Sequence, residues 1–222
     1  MNPGGGGGGG MTVTAVDDNG GGTDRENRKE SAMNAAMEKF CQTTVAKKIE
    51  GLKAEFATLA SFTPPEPAAT LFQIAGKEKN RYSNIPCYDK TRVILKFQVP
   101  PESEYIHANF VDTQLVKLTN RYICAQAPLN STLNDWWRLI WQEKPKHIIM
   151  LCRLIENGKP KCADYFPSAV GEQKQFGNIF VQFVRTQNNG GEKTYESILL
   201  RAIVGTDQFA LTLHKWFDWP GK

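Results

Sequence analysis

Three hydrophobic rhythms follow one another between residues 131 and 216, and their order leaves few folds open. From 131 to 144, Leu133, Trp136, Trp137, Ile140 and Trp141 fall at i, i+3, i+4, i+7 and i+8, which is one face of a helix. Asn130 or Ser131 can cap it, and Pro145 stops it. From His147 to Cys152 the chain is continuously apolar, the pattern of a strand buried on both faces of a sheet. From 176 the period becomes two. Asn178 to Thr186, Thr194 to Val204 and Phe209 to Trp216 alternate, and Asn188-Asn189-Gly190-Gly191 and Gly205-Thr206-Asp207 separate them as turns. A buried strand beside an antiparallel meander, with helices adjacent, predicts an α/β (α+β) fold with a mixed twisted sheet flanked by helices.

Upstream, residues 1–30 are Gly-rich and polar and cannot bury enough apolar area to offset their ordering entropy, so a disordered tail is expected there. Residues 31–222 are expected to form the folded part. Ser31 is a plausible cap for a long helix whose Met33, Met37, Phe40, Val45, Ile49, Leu52, Phe56 and Leu59 share one face. Such a face packs on a domain, the reading expected here, or holds a partner. Glu50 and Glu55 read as its solvated side. Thr63-Pro64-Pro65-Glu66-Pro67 ends it. A short apolar step (Leu71, Phe72, Ile74) follows. Strands are then expected at Thr91 to Phe97, Tyr105 to Val111, Arg121 to Ala125 and Lys161 to Phe166.

Charge and cysteine usage narrow the function. The net charge is +4, with 7 Lys+Arg against 8 Asp+Glu in residues 1–62 and 20 against 15 in residues 63–222. The folded part is therefore mildly basic without a dense stripe, which suits an anionic ligand and argues against nucleic acid. No apolar run is long enough for a membrane span, and the N-terminus has neither a secretory signal nor a myristoylation site. Cys41, Cys87, Cys124, Cys152 and Cys162 include no CxxC pair, so free thiols in a reducing, cytoplasmic setting are expected. His107, His147 and His214 are scattered, so neither a metal nor a cofactor is expected. The phosphate-binding motifs GxxxxGK[ST] and GxGxxG, the nucleophile elbow GxSxG and the metal motif HExxH do not occur.

A series of blocks carries a resemblance. They are Lys79-Asn80-Arg81-Tyr82 with Ile85, Asp89 and Arg92-Val93; Tyr105-Ile106-His107-Ala108-Asn109; Tyr122-Ile123-Cys124-Ala125-Gln126-Ala127-Pro128-Leu129; Asp135-Trp136-Trp137 with Trp141; Ile148-Ile149-Met150-Leu151 with Glu156; Lys161-Cys162 with Tyr165-Phe166-Pro167; and Trp219-Pro220. In this order and with these gaps, residues 79–220 resemble the protein tyrosine phosphatase family, a family of signal transduction. The helix ahead of them and Ser-Glu-Tyr-Ile-His-Ala-Asn at 103–109 look most like nematode members. The resemblance implies that Tyr82 forms the aromatic wall of a phosphotyrosine slot. Asn84 stands where the family often has an Asp that holds the substrate's backbone amides; its amide can still accept a hydrogen bond, without charge assistance. Lys161, Trp219 and Pro220 look like remnants of the general-acid loop.

The resemblance also implies a thiolate nucleophile, an Arg six residues after it and a general-acid Asp, and here the pattern breaks. The family's thiolate nucleophile has an Arg six residues later; here those positions hold Lys47, Val93, Asn130, Gly158 and Ser168. The family's general-acid Asp is replaced by Gly221, and Asp218 lies on the wrong side of Trp219. His107, Ala127 and Phe166 replace the usual Asn, Gly and Trp. The expectation is an incomplete tyrosine phosphatase fold, truncated before the cysteine loop: a catalytically dead pseudophosphatase that binds phosphotyrosine proteins weakly. The alternatives are an active phosphatase whose C-terminal part is missing from this chain, and a non-catalytic scaffold using the 31–60 helix. Ile148 to Leu151 would then lack neighbours.

Overall fold

The first helix, α1, runs Asp24–Ala57 and starts ahead of Ser31, which is therefore not its cap. The computed structural model describes residues 24–62, 68–111, 120–187, 191, 194–217 and 219. Residues 24–30 are mostly Arg, Lys and Glu, whose unbranched side chains lose little freedom in a helix, so the last part of the expected tail is helical. Residues 1–23 lie outside the described residues. The chain divides into two units, Met1–Thr63 and Pro64–Lys222. Within the first, α1 is interrupted at Lys48, whose φ of 55° is not helical, so the single long helix expected is two segments. Among the described residues of this unit nothing covers its apolar face: Met33, Met37, Phe40, Val45, Ile49 and Phe56 are all exposed. Exposed pairs such as Lys47–Glu55 (2.7 Å) and Lys53–Glu50 (3.4 Å) support it locally.

The second unit is built on a five-stranded sheet. Its strands are β4 (His147–Met150), β7 (Gln173–Phe176), β8 (Ile179–Gln187), β9 (Tyr195–Val204) and β10 (Asp207–Trp216), in the order β4-β10-β9-β8-β7. The meander is antiparallel and β4 runs parallel to β10, so the sheet is mixed, as the change of period predicts. Gly205 has φ +58° as the first residue of the two-residue β9–β10 turn, a geometry that glycine adopts without a Cβ clash. Period-two alternation sends Ile148 and Met150, Leu211 and Leu213, Ile198 and Leu200, and Ile179 and Val181 to one face, where all are buried.

Helix α3 (Leu133–Glu143) covers that face with Trp137, Ile140 and Trp141. Trp137 is fully buried, stacks on Phe176 (5.8 Å) and donates from Nε1 to the Tyr165 carbonyl (2.7 Å). Neither Asn130 nor Ser131 caps α3. A short 3-10 turn, Asn130–Thr132, precedes it, and the Ser131 hydroxyl donates instead to the Glu78 carbonyl (2.6 Å). The opposite face of the sheet is open at β4: Ile149 is 66% exposed. The strand expected to be buried on both faces therefore alternates, because it ends the sheet and has a covering layer on one side only among the described residues. The expected lack of neighbours holds for Ile149 and, less fully, for Leu151, but not for Ile148 or Met150.

A smaller antiparallel sheet holds β1 (Arg92–Ile94), β2 (Tyr105–Phe110) and β3 (Ile123–Ala125), with Val93, Leu95, Ile106, Ala108 and Leu139 of α3 as its core. The apolar step near Leu71 is a helix, α2 (Thr70–Lys79). No strand spans 161–166. A small hairpin, β5 (Ile155–Glu156) and β6 (Lys159–Pro160), stands before it, and Tyr165 and Phe166 are buried without ladder partners. A buried ion cluster ties these parts together. Asp135 meets Arg138 (2.8 Å) and Lys79 (2.7 Å), and Arg138 also donates to the carbonyls of Phe97 and Ser103 (2.9 Å each). Such a cluster holds only while every member is paired.

Candidate functional site

The run that follows α2 is fixed by hydrogen bonds across some 45 residues of sequence. Asn80 is buried; its Nδ2 donates to the carbonyls of Phe72 (2.9 Å) and Gly76 (2.8 Å), satisfying the last turn of α2. Its Oδ1 accepts from the Tyr105 hydroxyl (2.6 Å) and lies 3.1 Å from His107 Nδ1. Gln126, just past β3, accepts from the Arg81 backbone N–H (2.9 Å) and donates to the Lys79 carbonyl (2.8 Å). The Arg81 guanidinium donates to the carbonyls of Ala127 and Pro128. This clamp sets where Tyr82 begins.

Beside it lies a cavity of about 620 Å³. Its walls come from residues 81–86, the end of β3 through Pro128, β4 and Cys152, the hairpin's Glu156, Lys161 and Cys162, and Trp219. Tyr82, Lys161 and Trp219, each expected from sequence, all line it. Tyr82 is 47% exposed and Trp219 53%, so both aromatic rings keep a free face. Asn84 lies in the exposed turn after Tyr82 and is not among the lining residues. Pro220 and Gly221, with Asp218, lie outside the described residues. Sequence reading missed the clamping roles of Arg81 and Gln126 and the convergence of Cys152 and Cys162. Arg81, Gln126 and Cys162 stand inside the sequence blocks and Cys152 directly follows one, and only the juxtaposition of those blocks reveals the pairs.

Two thiols in the wall are chemically distinct from the rest. The Cys162 Sγ donates to the Ala163 carbonyl (3.2 Å), and the Cys152 thiol stands in the same wall. The Cys162 side chain is the main reason the Cys152 thiol is pulled down to about 7; Arg81 and Lys161 add to the effect, while burial and the Glu156 carboxylate oppose it. The Cys162 thiol is pushed up, first by the Cys152 side chain and then by burial. Cys87 is fully buried and also raised, chiefly by burial. Burial holds the His107 imidazole below its ordinary value. The Arg81 Nε and Nη2 are committed to carbonyls and so do not form a fork open to the cavity. Among the described residues, no three His, Cys, Asp or Glu gather as metal ligands would, and no helix is long and apolar enough to cross a membrane. The arrangement suits a flat aromatic group carrying negative charge.

A family model described as protein-tyrosine phosphatase matches residues 76–222. Tyrosine-protein phosphatase 69D of Drosophila melanogaster is 40% identical over 146 residues, 64% of this chain and 10% of that protein. Tyrosine-protein phosphatase 1 of Caenorhabditis elegans is 31% identical over 66% of this chain and 14% of its own length. Human tyrosine-protein phosphatase non-receptor type 9 is 33% identical over 79% and 29%. The chain thus spans less than a third of each of these relatives. Among solved structures, PTPN18 in complex with HER2 phosphopeptides superposes with a TM-score of 0.70 and 28% identity, covering 82% of this chain and 65% of that one. A second such complex has a TM-score of 0.64.

Proposed function

The chain belongs to the protein-tyrosine phosphatase family, and on that footing we propose that it recognises phosphotyrosine side chains in the cavity walled by Tyr82 and Trp219. The observation that carries this reading is the convergence on one cavity of Tyr82, Lys161 and Trp219, which lie far apart in sequence. A phosphotyrosine side chain is a long flat ring tipped by a dianion. It needs an aromatic wall and nearby positive charge, which Tyr82, Lys161 and the neighbouring Arg81 supply. Asn84, in the exposed turn after Tyr82, accepts a hydrogen bond from the peptide backbone. A phosphotyrosine partner protein and a cytoplasmic setting belong to the same reading. Its placement near nematode members is carried by the 103–109 run.

Binding is weak and the 222-residue polypeptide transfers no phosphoryl group, because none of its five cysteines is followed six residues on by Arg. Ring packing on Tyr82 adds about 1 kcal/mol, so the dissociation constant is weaker than about 10 μM. Titrating a labelled phosphotyrosine peptide into the protein tests this. Tyr82→Ala weakens binding by about fivefold. Equal binding of the unphosphorylated peptide would overturn the reading.

A second reading, a scaffold acting through residues 31–60, is favoured by the exposure of Met33, Met37, Phe40 and Phe56. Deleting that segment would abolish partner capture, whereas Tyr82→Ala would leave it intact.

A further inference from the structure

Two of the three histidines, far apart in sequence, meet on the sheet face opposite α3. Parallel pairing sets His147 of β4 beside Thr212 of β10, and Ile149 beside His214. Period two sends Leu211 and Leu213 into the core, so His214 lies on the other face, with His147 and Ile149. There His147 Nδ1 stands 3.1 Å from His214 Nε2, with the ring centroids 5.3 Å apart. His147 is exposed and His214 half-buried, so an ion in solvent reaches the pair. The second nitrogen of His214 is held as well. Its Nδ1 lies 2.9 Å from the hydroxyl of Ser197, a buried residue of the neighbouring strand β9.

We propose that His147 Nδ1 and His214 Nε2 together bind a divalent transition-metal ion such as zinc. Imidazole nitrogen suits such ions, and zinc stands about 2.0–2.1 Å from it. Two nitrogens 3.1 Å apart then subtend roughly 100° at the metal, between the square-planar and tetrahedral values. As the rings stand, their facing nitrogens share one hydrogen. The ion takes its place, and a small turn of each ring about its side-chain bonds brings the lone pairs together. No net loss of protons is needed. With the Ser197 hydroxyl oxygen accepting from His214 Nδ1–H, His214 Nε2 carries a lone pair. His147 then holds its proton on Nε2 and leaves Nδ1 bare. Ser197 thus acts as the hydrogen-bond acceptor that fixes the tautomer behind a metal-bound histidine.

Two protein nitrogens are fewer than a resident structural or catalytic zinc has, so the ion completes its shell with water and exchanges readily. The exposed position of His147 leaves room for that water. His107 lacks this arrangement. It is buried, with its Nδ1 against Asn80 Oδ1 and its ring edge-on to Phe72. Neither His147 nor His214 lines the cavity walled by Tyr82 and Trp219, so the proposal does not depend on what that cavity holds.

The test is a zinc chloride titration of the reduced 222-residue protein carrying isotope-labelled histidine, read by nuclear magnetic resonance of the imidazole nitrogens. His147 Nδ1 and His214 Nε2 should shift together, saturating at one zinc per chain below about 1 mM, the weak end of specific affinities. The His107 nitrogens should stay where they are. His147→Asn and His214→Asn should each weaken zinc binding by at least about tenfold, since loss of a mere supporting hydrogen bond costs that much. His147 is exposed, so its variant should keep the melting temperature of the zinc-free protein, which separates a lost ligand from a lost fold. Facing nitrogens that do not move up to about 1 mM zinc, zinc taken up by the cysteines alone, or undiminished binding in both variants would each overturn the proposal.

Discussion

Helices α1 and α3 carry the same three-and-four spacing of large apolar residues and meet opposite fates. In α3 the stripe is buried, and even the polar Asp135 and Arg138 are taken inside with it. Its side chains reach carbonyls at Phe97, Ser103 and Tyr165. In α1 the stripe is exposed, and the side-chain bonds given for it, such as Gln42 to Glu38 and Lys47 to Glu55, stay within the helix. A stripe contributes stability only where something covers it: burying one such side chain contributes about 1.5–3 kcal/mol, and an exposed one next to nothing. The contrast separates the packed part of the molecule from a surface that still presents apolar area.

Substitutions can break that contrast. Trp137→Ala should destabilise the protein by about 3–5 kcal/mol, read from the urea midpoint of the second unit. A loss under about 1 kcal/mol would mean that α3 is no better covered than α1. Gln126→Ala removes the bridge between Arg81 and Lys79 and should cost about 2 kcal/mol, with weaker phosphopeptide binding as a second readout. Full retention of both would show that the clamp positions nothing.

A smaller effect comes from acid. His107 and His214 are both held below their ordinary value of 6.5, His107 by burial and His214 by burial and then His147. Below about 6.5 the unfolded chain takes up protons that the folded chain does not, so stability should fall as the pH drops through that value. His107→Asn should flatten the slope of melting temperature between pH 7 and 5, whereas an unchanged slope would place the acid sensitivity elsewhere. Smallest of all, Phe40→Ala in α1 should change stability by no more than about 0.5 kcal/mol. A larger loss would show that the bare stripe is covered after all.

The sequence made α3 legible because five apolar residues at helical spacing end at a Pro, and the meander because its period of two is punctuated by turns. The order of the blocks pointed to the family and to three residues of the cavity wall. What escaped depends on neighbours rather than on pattern. Continuous apolarity at His147 to Cys152 does not say that one face of β4 stays open, and spacing alone does not say that α1 goes uncovered. The start of α1 was misplaced because Ser31 is a good cap wherever a helix begins, and the charged residues ahead of it are good helix formers. The run 161–166 has strand-like composition, yet Tyr165 and Phe166 pack on the core without pairing. The Gln126 clamp spans some 45 residues and leaves no local signal.

Phosphate release by the purified 222-residue protein is the most direct test of recognition without phosphoryl transfer. With p-nitrophenyl phosphate or a phosphotyrosine peptide at pH 7, the expected rate is that of buffer alone, and Cys152→Ser changes nothing. Turnover above buffer that disappears in Cys152→Ser would contradict the account, since it would make the cavity thiol a working nucleophile without its arginine.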